Sequence, residues 1–126
     1  MTVQKRRALV LFAHGARDPR WAEPFQRLQA IVQAQSPQLH VSLAFLELMS
    51  PRLPELALEL IDAGIDDVTI VPVFLGQGGH VRRDLPLVVD ELEASHPAVS
   101  FRIAAAVGED AQVLNAMANY CLAALE

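Results

Sequence analysis

The sequence predicts an α/β fold of three layers, α-β-α, built on a four-stranded parallel sheet. Two observations carry this. Four short apolar runs alternate with four segments of helical spacing, in the order β-α-β-α-β-α-β-α. The connections between them are short, which implies parallel strands joined by right-handed crossovers, with helices on both faces. The chain has 126 residues, of which 52% are hydrophobic. That is enough for one core, so a single domain over residues 1–126 is expected.

Each element has its own signal. Residues 8–13 (Ala-Leu-Val-Leu-Phe-Ala) form a buried strand run that ends at His14-Gly15. From 21 to 35, Trp21, Phe25, Leu28, Ile31 and Val32 recur at helical spacing, and Ser36-Pro37 stops the helix. Residues 41–46 are the second strand, ending at Glu47. Residues 51–63 are a helix with Leu53, Leu56, Leu60 and Ile61 on one side and Gly64 suited to its C-cap. Residues 68–75 are the third strand, rich in β-branched residues, although Pro72 is awkward inside it because proline gives up a ladder donor. Gly76, Gly78 and Gly79 follow, then His80, Arg82 and Arg83. A helix is expected from about 85 to 95, with Asp84 as N-cap and Pro86 in its first turn. Residues 99–105 are the fourth strand and 110–125 the last helix.

Composition excludes several classes of function. A net charge of −5 argues against nucleic-acid binding. The longest apolar stretches are about eight residues, against the roughly 20 of a membrane helix. The N-terminal residues lack a signal-peptide pattern, and the one cysteine, Cys121, cannot form an internal disulfide. A cytoplasmic protein is expected.

With the strands in the flavodoxin-like order 2-1-3-4, the switch point falls between strands one and three. Those strands carry His14 and His80 at their C-terminal ends, and strand two, beside strand one, carries Glu47. Ligands of open parallel sheets bind at that edge. Neutral imidazole ligates first-row metals such as iron, cobalt and nickel, and it accepts protons near neutral pH. Glu47 reads as a third ligand or a proton acceptor. His40 and His96 precede strands two and four, at the opposite edge, and read as surface residues.

Arg17, Arg20, Arg52, Arg82 and Arg83 all fall just after strands one, two and three, which places half of the ten basic residues at the histidine edge of an acidic chain. Cations at helix N-termini oppose the macrodipole, so an anionic ligand is the better account of them. Gly78 and Gly79 would let backbone approach that ligand closely. The segment Gly76-Gln77-Gly78-Gly79-His80 lacks the Gly-Lys-Ser/Thr ending of a P-loop and the spacing of a dinucleotide fingerprint, so no nucleotide is expected. Ala13 before His14 stands where a histidine phosphatase needs arginine.

Three motifs together resemble a known family. They are His14-Gly15-Ala16-Arg17-Asp18-Pro19, Phe45-Leu46-Glu47-Leu48 with Pro51, and residues 71–75 with Gly78-Gly79-His80-Val81 and Asp84-Leu85-Pro86. In order and spacing they resemble the class II tetrapyrrole chelatases, in the branch of short sirohydrochlorin chelatases of cobalamin and sirohaem synthesis. One departure is Ala16, where the family usually has serine. The resemblance implies a chelatase-like domain and ATP-independent insertion of Co²⁺ or Fe²⁺, with Ni²⁺ also admissible, into sirohydrochlorin. It implies that His14 and His80 bind the metal, with Glu47 the acidic residue near them, and that the chain works as a homodimer.

Two rival readings keep the same histidines: a non-enzymatic metal carrier, and a hydrolase with a metal-bound water. The arginines favour a carboxylate-rich substrate such as sirohydrochlorin, because the guanidinium fork matches carboxylates. A four-stranded shelf would cover only one side of a flat macrocycle, so a twin subunit is expected as the second wall. The last helix has more apolar residues than one core-facing stripe needs, which makes it the candidate dimer face.

Overall fold

The computed structural model describes residues 6–76 and 78–126, with His80 placed by its backbone alone. The strands are β1 (Arg7–Ala13), β2 (His40–Phe45), β3 (Asp67–Pro72) and β4 (Ser100–Ile103). All pair in parallel, in the order β2-β1-β3-β4, as the alternating pattern predicted. The helices are α1 (Glu23–Gln35), α2 (Leu53–Asp62), α3 (Gly79–Ser95) and α4 (Ala111–Ala123), with 3-10 turns at Pro19–Ala22 and Val107–Glu109. None of the described helices is long and apolar enough to cross a membrane.

The core lies mainly on one face of the sheet. Ala8, Val10 and Phe12 of β1, Ala44 of β2 and Val68 and Ile70 of β3 pack against Leu53, Leu56 and Leu60 of α2 and Val81, Leu85 and Val89 of α3. The alternate residues point to the other face, where α1 covers β1 and β2. There Ala13, Ala22 and Phe45 form a smaller cluster with Phe25, Leu43 and Met49. Gln29 Nε2 donates to the Val41 carbonyl and Gln33 Nε2 to the Leu39 carbonyl, which fixes the flank of α1 that faces β2.

Pro72 is accommodated by alternation. Val73 N–H donates to the Phe12 carbonyl, so odd-numbered amides of β3 face β1, whereas Ala104 N–H donates to the Ile70 carbonyl on the other side. The missing donor of Pro72 therefore points past the end of the β4 pairing, where it breaks no ladder bond.

Two expectations are corrected. The third strand stops at Pro72 and does not run to Leu75, because its pairing with β4 ends at Ile70 and its pairing with β1 at Pro72. The third helix starts at Gly79, and its N-cap is Gly78 in extended conformation, so Asp84 is not the cap. Pro86 sits inside it, beyond the first turn. The apolar stripe of Val81, Leu85, Val89 and Leu92 already runs through this first turn, and its burial against the sheet outweighs the glycines and the proline. His80 thus lies in the opening turn of a helix and not on a loop, and Arg82 and Arg83 lie within the helix. The other boundaries shift by one or two residues, with Pro19–Ala22 as a 3-10 turn that takes the first residues expected of α1.

Candidate active site

The C-terminal edge of the sheet brings the predicted residues together by backbone register. Ala13 pairs with Phe45, and the ladder continues past the strand ends: Leu46 N–H donates to the Ala13 carbonyl and Glu47 N–H to the His14 carbonyl, at 2.8 and 3.1 Å. His14 and Glu47 are thus locked side by side, and both are exposed. Gly15 makes this approach possible. It has φ +86, and a Cβ there would lie 1.9 Å from the Glu47 carbonyl oxygen. Leu48, next along, has φ +67, a strained left-handed conformation for a leucine, and its side chain is 58% exposed. Strain of this kind collects at functional edges.

The third strand supplies the support for His14. Its imidazole stacks on the Phe74 ring, with centroids 4.1 Å apart and planes at 27°. Phe74 is itself packed against Phe12, at 5.9 Å and 58°. One face of the imidazole therefore rests on a buried aromatic platform, while His14 as a residue stays exposed at the edge. The chain after Phe74 leads through Gly76 and Gly78 into α3 and so delivers the backbone of His80 to the same edge, beyond the end of β3. The side chain of His80 lies outside the described residues. Among the described residues, no three of His, Cys, Asp and Glu converge as a metal-holding group.

The arginines divide into two sets. Arg20 is tied locally: its Nη2 lies 2.7 Å from Asp18 Oδ2, while Asp18 Oδ1 accepts from Arg20 N–H and caps the 3-10 turn. The Arg20 guanidinium and then its amide hold the Asp18 carboxyl below its ordinary pKa, and Asp18 in turn raises that of Arg20. Arg82 reaches Glu109 at 3.2 Å, with both side chains largely in solvent. Arg17, Arg52 and Arg83 are exposed at this edge, with no carboxylate partner among the described residues. Arg52 also borders a small pocket of about 80 Å³, walled by Phe12, Phe45, Leu53 and Leu85, with Asp84 at its rim.

Phe74 and the pocket were not legible in the sequence, because both depend on contacts between distant segments. The exposed Leu48 and Leu75, the latter 63% accessible, likewise stand out only in three dimensions. A wider concavity, about 1430 Å³, lies at the opposite edge beside Arg6, Gln33, His40 and Asp67. It is away from the strand ends that hold His14 and Glu47, and we place no chemistry there. His96 is the C-cap of α3, its N–H donating to the Leu92 carbonyl.

Comparison with known proteins agrees with this architecture. The chain is 33% identical over 79 residues to a sirohydrochlorin cobaltochelatase of Methanopyrus kandleri, an alignment that covers 63% of this chain and 55% of that one. It spans between 55% and 62% of the length of the first three curated relatives it matches. Its structure superposes on a CbiX protein from Marinobacter aquaeolei VT8 with a TM-score of 0.83 and 30% identity, covering 94% of this chain and 97% of that one. It also shares its fold with the sirohydrochlorin chelatase SirB from Bacillus subtilis subspecies spizizenii, solved in complex with cobalt (TM-score 0.73, 19% identity, 83% of this chain and 45% of that one). The CbiX family model matches residues 8–122, nearly the whole chain, and the protein therefore belongs to the CbiX family.

Proposed function

We propose that this chain, acting as a single chelatase-like domain over residues 1–126, inserts a divalent metal into sirohydrochlorin without a nucleotide. Co²⁺ and Fe²⁺ are the expected metals, with Ni²⁺ admissible, and the metal is a substrate. The observation that carries this reading is the pairing of His14 with Glu47 at the edge to which α3 delivers His80, with His14 stacked on Phe74. The name of the Methanopyrus relative and the cobalt in the Bacillus neighbour point the same way.

The chemistry follows from the residue types. Insertion exchanges two pyrrole N–H protons for one M²⁺, so the site must hold the ion with open positions and take up two protons. In this reading His14 and His80 hold the incoming ion as neutral imidazoles and then accept the pyrrole protons. Glu47, beside His14, passes protons to water. Arg17, Arg52, Arg82 and Arg83 meet the macrocycle carboxylates, and Leu48 and Leu75 lie against its apolar surface. Gly78 and Gly79 let the backbone come close to the plate. Arg82 then exchanges Glu109 for a substrate carboxylate, a swap between exposed partners that costs little. A second subunit of the same chain closes the other side of the plate, and the protein works in a reducing cytoplasm.

The test is spectrophotometric: purified protein, sirohydrochlorin and Co²⁺, following loss of the free-macrocycle absorption. The expected result is a rate above the uncatalysed one that scales with protein. Tight Co²⁺ binding with an unchanged rate would overturn the chelatase in favour of a metal carrier.

A further inference from the structure

His14 is an exposed residue, and exposed side chains change rotamer within picoseconds to nanoseconds. A metal-binding histidine is normally kept still by a hydrogen bond from its second ring nitrogen to a carboxylate or a carbonyl. Among the described residues, no hydrogen bond reaches the His14 ring. The contact it does make is with Phe74, face to face, with centroids 4.1 Å apart and planes at 27°.

Strand register brings the two rings together. β1 and β3 pair Phe12 with Pro72, and Val73 N–H donates to the Phe12 carbonyl. Carried two residues further, the same register sets Phe74 opposite His14. Side chains two apart share a face of the sheet, so Phe12 and His14 stand in line and Phe74 lies against both, 5.9 Å from the Phe12 ring. Phe12 is 2% exposed and Phe74 4%. The platform belongs to the core, whereas the imidazole it carries does not.

The backbone of the platform is held from both flanks. On the β1 side Val73 is bonded to Phe12, and on the β4 side Gly108 N–H donates to the Phe74 carbonyl at 2.9 Å. The Val107–Glu109 turn lies directly on the next residue: a Cβ on Gly108 would fall 1.8 Å from the Leu75 carbonyl oxygen. Phe74 therefore cannot shift without displacing either a sheet strand or this turn.

The stack restricts how His14 can offer a nitrogen. An imidazole binds a metal through a lone pair in the plane of its ring. A quarter turn of the ring about its Cβ–Cγ bond would break the stack. A bound ion then lies in the plane of the imidazole, beside the Phe74 ring and not over it. An imidazole with the ion attached is more positive, which the electron-rich face of a phenyl ring favours. Because the ring is ordered before the ion arrives, binding bears less of the entropic cost of ordering it.

We propose that Phe74 is the positioning residue of the metal site: through its face it fixes the plane in which His14 presents the ion, the task a hydrogen-bonded partner performs elsewhere. This rests on the chelatase reading above and deepens it with a residue too buried to meet the macrocycle. Loss of the aromatic face weakens metal binding and slows transfer, and leaves macrocycle binding alone.

The experiment uses the full chain and three readouts: proton NMR of the His14 ring, titration with Co²⁺ alone, and the sirohydrochlorin assay. In the wild-type protein the carbon-bound ring protons of His14, assigned by their loss in His14→Ala, should lie upfield, shifted by the ring current of Phe74. Phe74→Leu should move them to the positions of a free histidine. It should lower Co²⁺ affinity and kcat about 10-fold each, the lower end of what losing an orienting partner costs, with KM for the macrocycle unchanged. Val89→Ala truncates the same core cluster on α3. It should lose stability but keep both Co²⁺ affinity and kcat. A wild-type His14 without the upfield shift overturns the proposal before any variant is made. So does Phe74→Leu with wild-type Co²⁺ affinity, or Val89→Ala with an equal loss, which would make Phe74 a packing residue only. Wild-type protein that shows the shift and the Co²⁺ response but no chelation overturns the chelatase reading and leaves the platform standing.

Discussion

At the β1 shoulder of the site, a Cβ on Gly15 would lie 1.9 Å from the Glu47 carbonyl oxygen; at the β3 shoulder, nothing among the described residues stands within 4 Å of where a Cβ on Gly76 or Gly78 would be. The first shoulder is tight: His14 and Glu47 share a ladder bond, Leu48 is strained, and Asp18 and Arg20 clamp the following turn. The second is roomy around its glycines, although α3 begins there. One glycine is demanded by the fold, whereas the others leave space that no described residue fills. Side-chain-free backbone with open space around it suits a flat ligand that approaches closely. The comparison therefore separates residues that build the site from residues that admit its substrate.

The largest test treats the two shoulders alike. His14→Ala and His80→Ala should each lower chelation by well over roughly 100-fold, since losing even an outer partner of a metal site costs 10–100-fold. Circular dichroism of the His14 variant should stay native, because His14 is exposed and outside the buried core. A variant with near-normal turnover would remove that histidine from the site. The next test separates the shoulders. Gly15→Ala forces an alanine into φ +86 and drives the Glu47 carbonyl away, which should cost about 2–4 kcal/mol in denaturant unfolding and most of the activity. Gly78→Ala should cost under about 1 kcal/mol, as a helix N-cap change, yet raise KM for the tetrapyrrole. Equal stability losses at the two glycines would end the distinction.

Smaller effects refine the tight shoulder. Glu47→Gln should lower kcat about 10-fold or more, as loss of a proton acceptor does, and leave Co²⁺ affinity nearly unchanged in a titration. A parallel loss of affinity would make Glu47 a ligand instead. The smallest effect is at Asp18. Its pKa is lower in the folded protein than in the unfolded chain, so its contribution is present above the ordinary carboxylate range near pH 4 and fades as pH falls through the lowered value. Asp18→Asn should remove that acid-side loss from a pH series of thermal melts. Because the carboxylate is exposed, the shift in midpoint should be slight.

Much of this was legible in the chain. Continuous apolar runs alternating with helical spacing predicted the parallel sheet, and likeness to flavodoxin-like sheets supplied the strand order from which His14, Glu47 and His80 were expected at one edge. The start of α3 was misread because Gly78, Gly79 and Pro86 signal a break locally. Val81 stands one helical turn before Leu85 and was the clue that the helix had already begun. The stacking of Phe74 on His14 and the pairing of Arg82 with Glu109 are not local properties. They depend on segments distant in sequence, which periodicity does not report.

The strand order also has a consequence during synthesis. β1 is made first but lies between β2 and β3, so it leaves the ribosome with neither neighbour. Its β2 partner begins at His40, and the aromatic platform beneath His14 is not translated until Phe74. Domains fold during synthesis at about 5–20 residues per second, so His14 waits some seconds on a nascent chain before its ring is held.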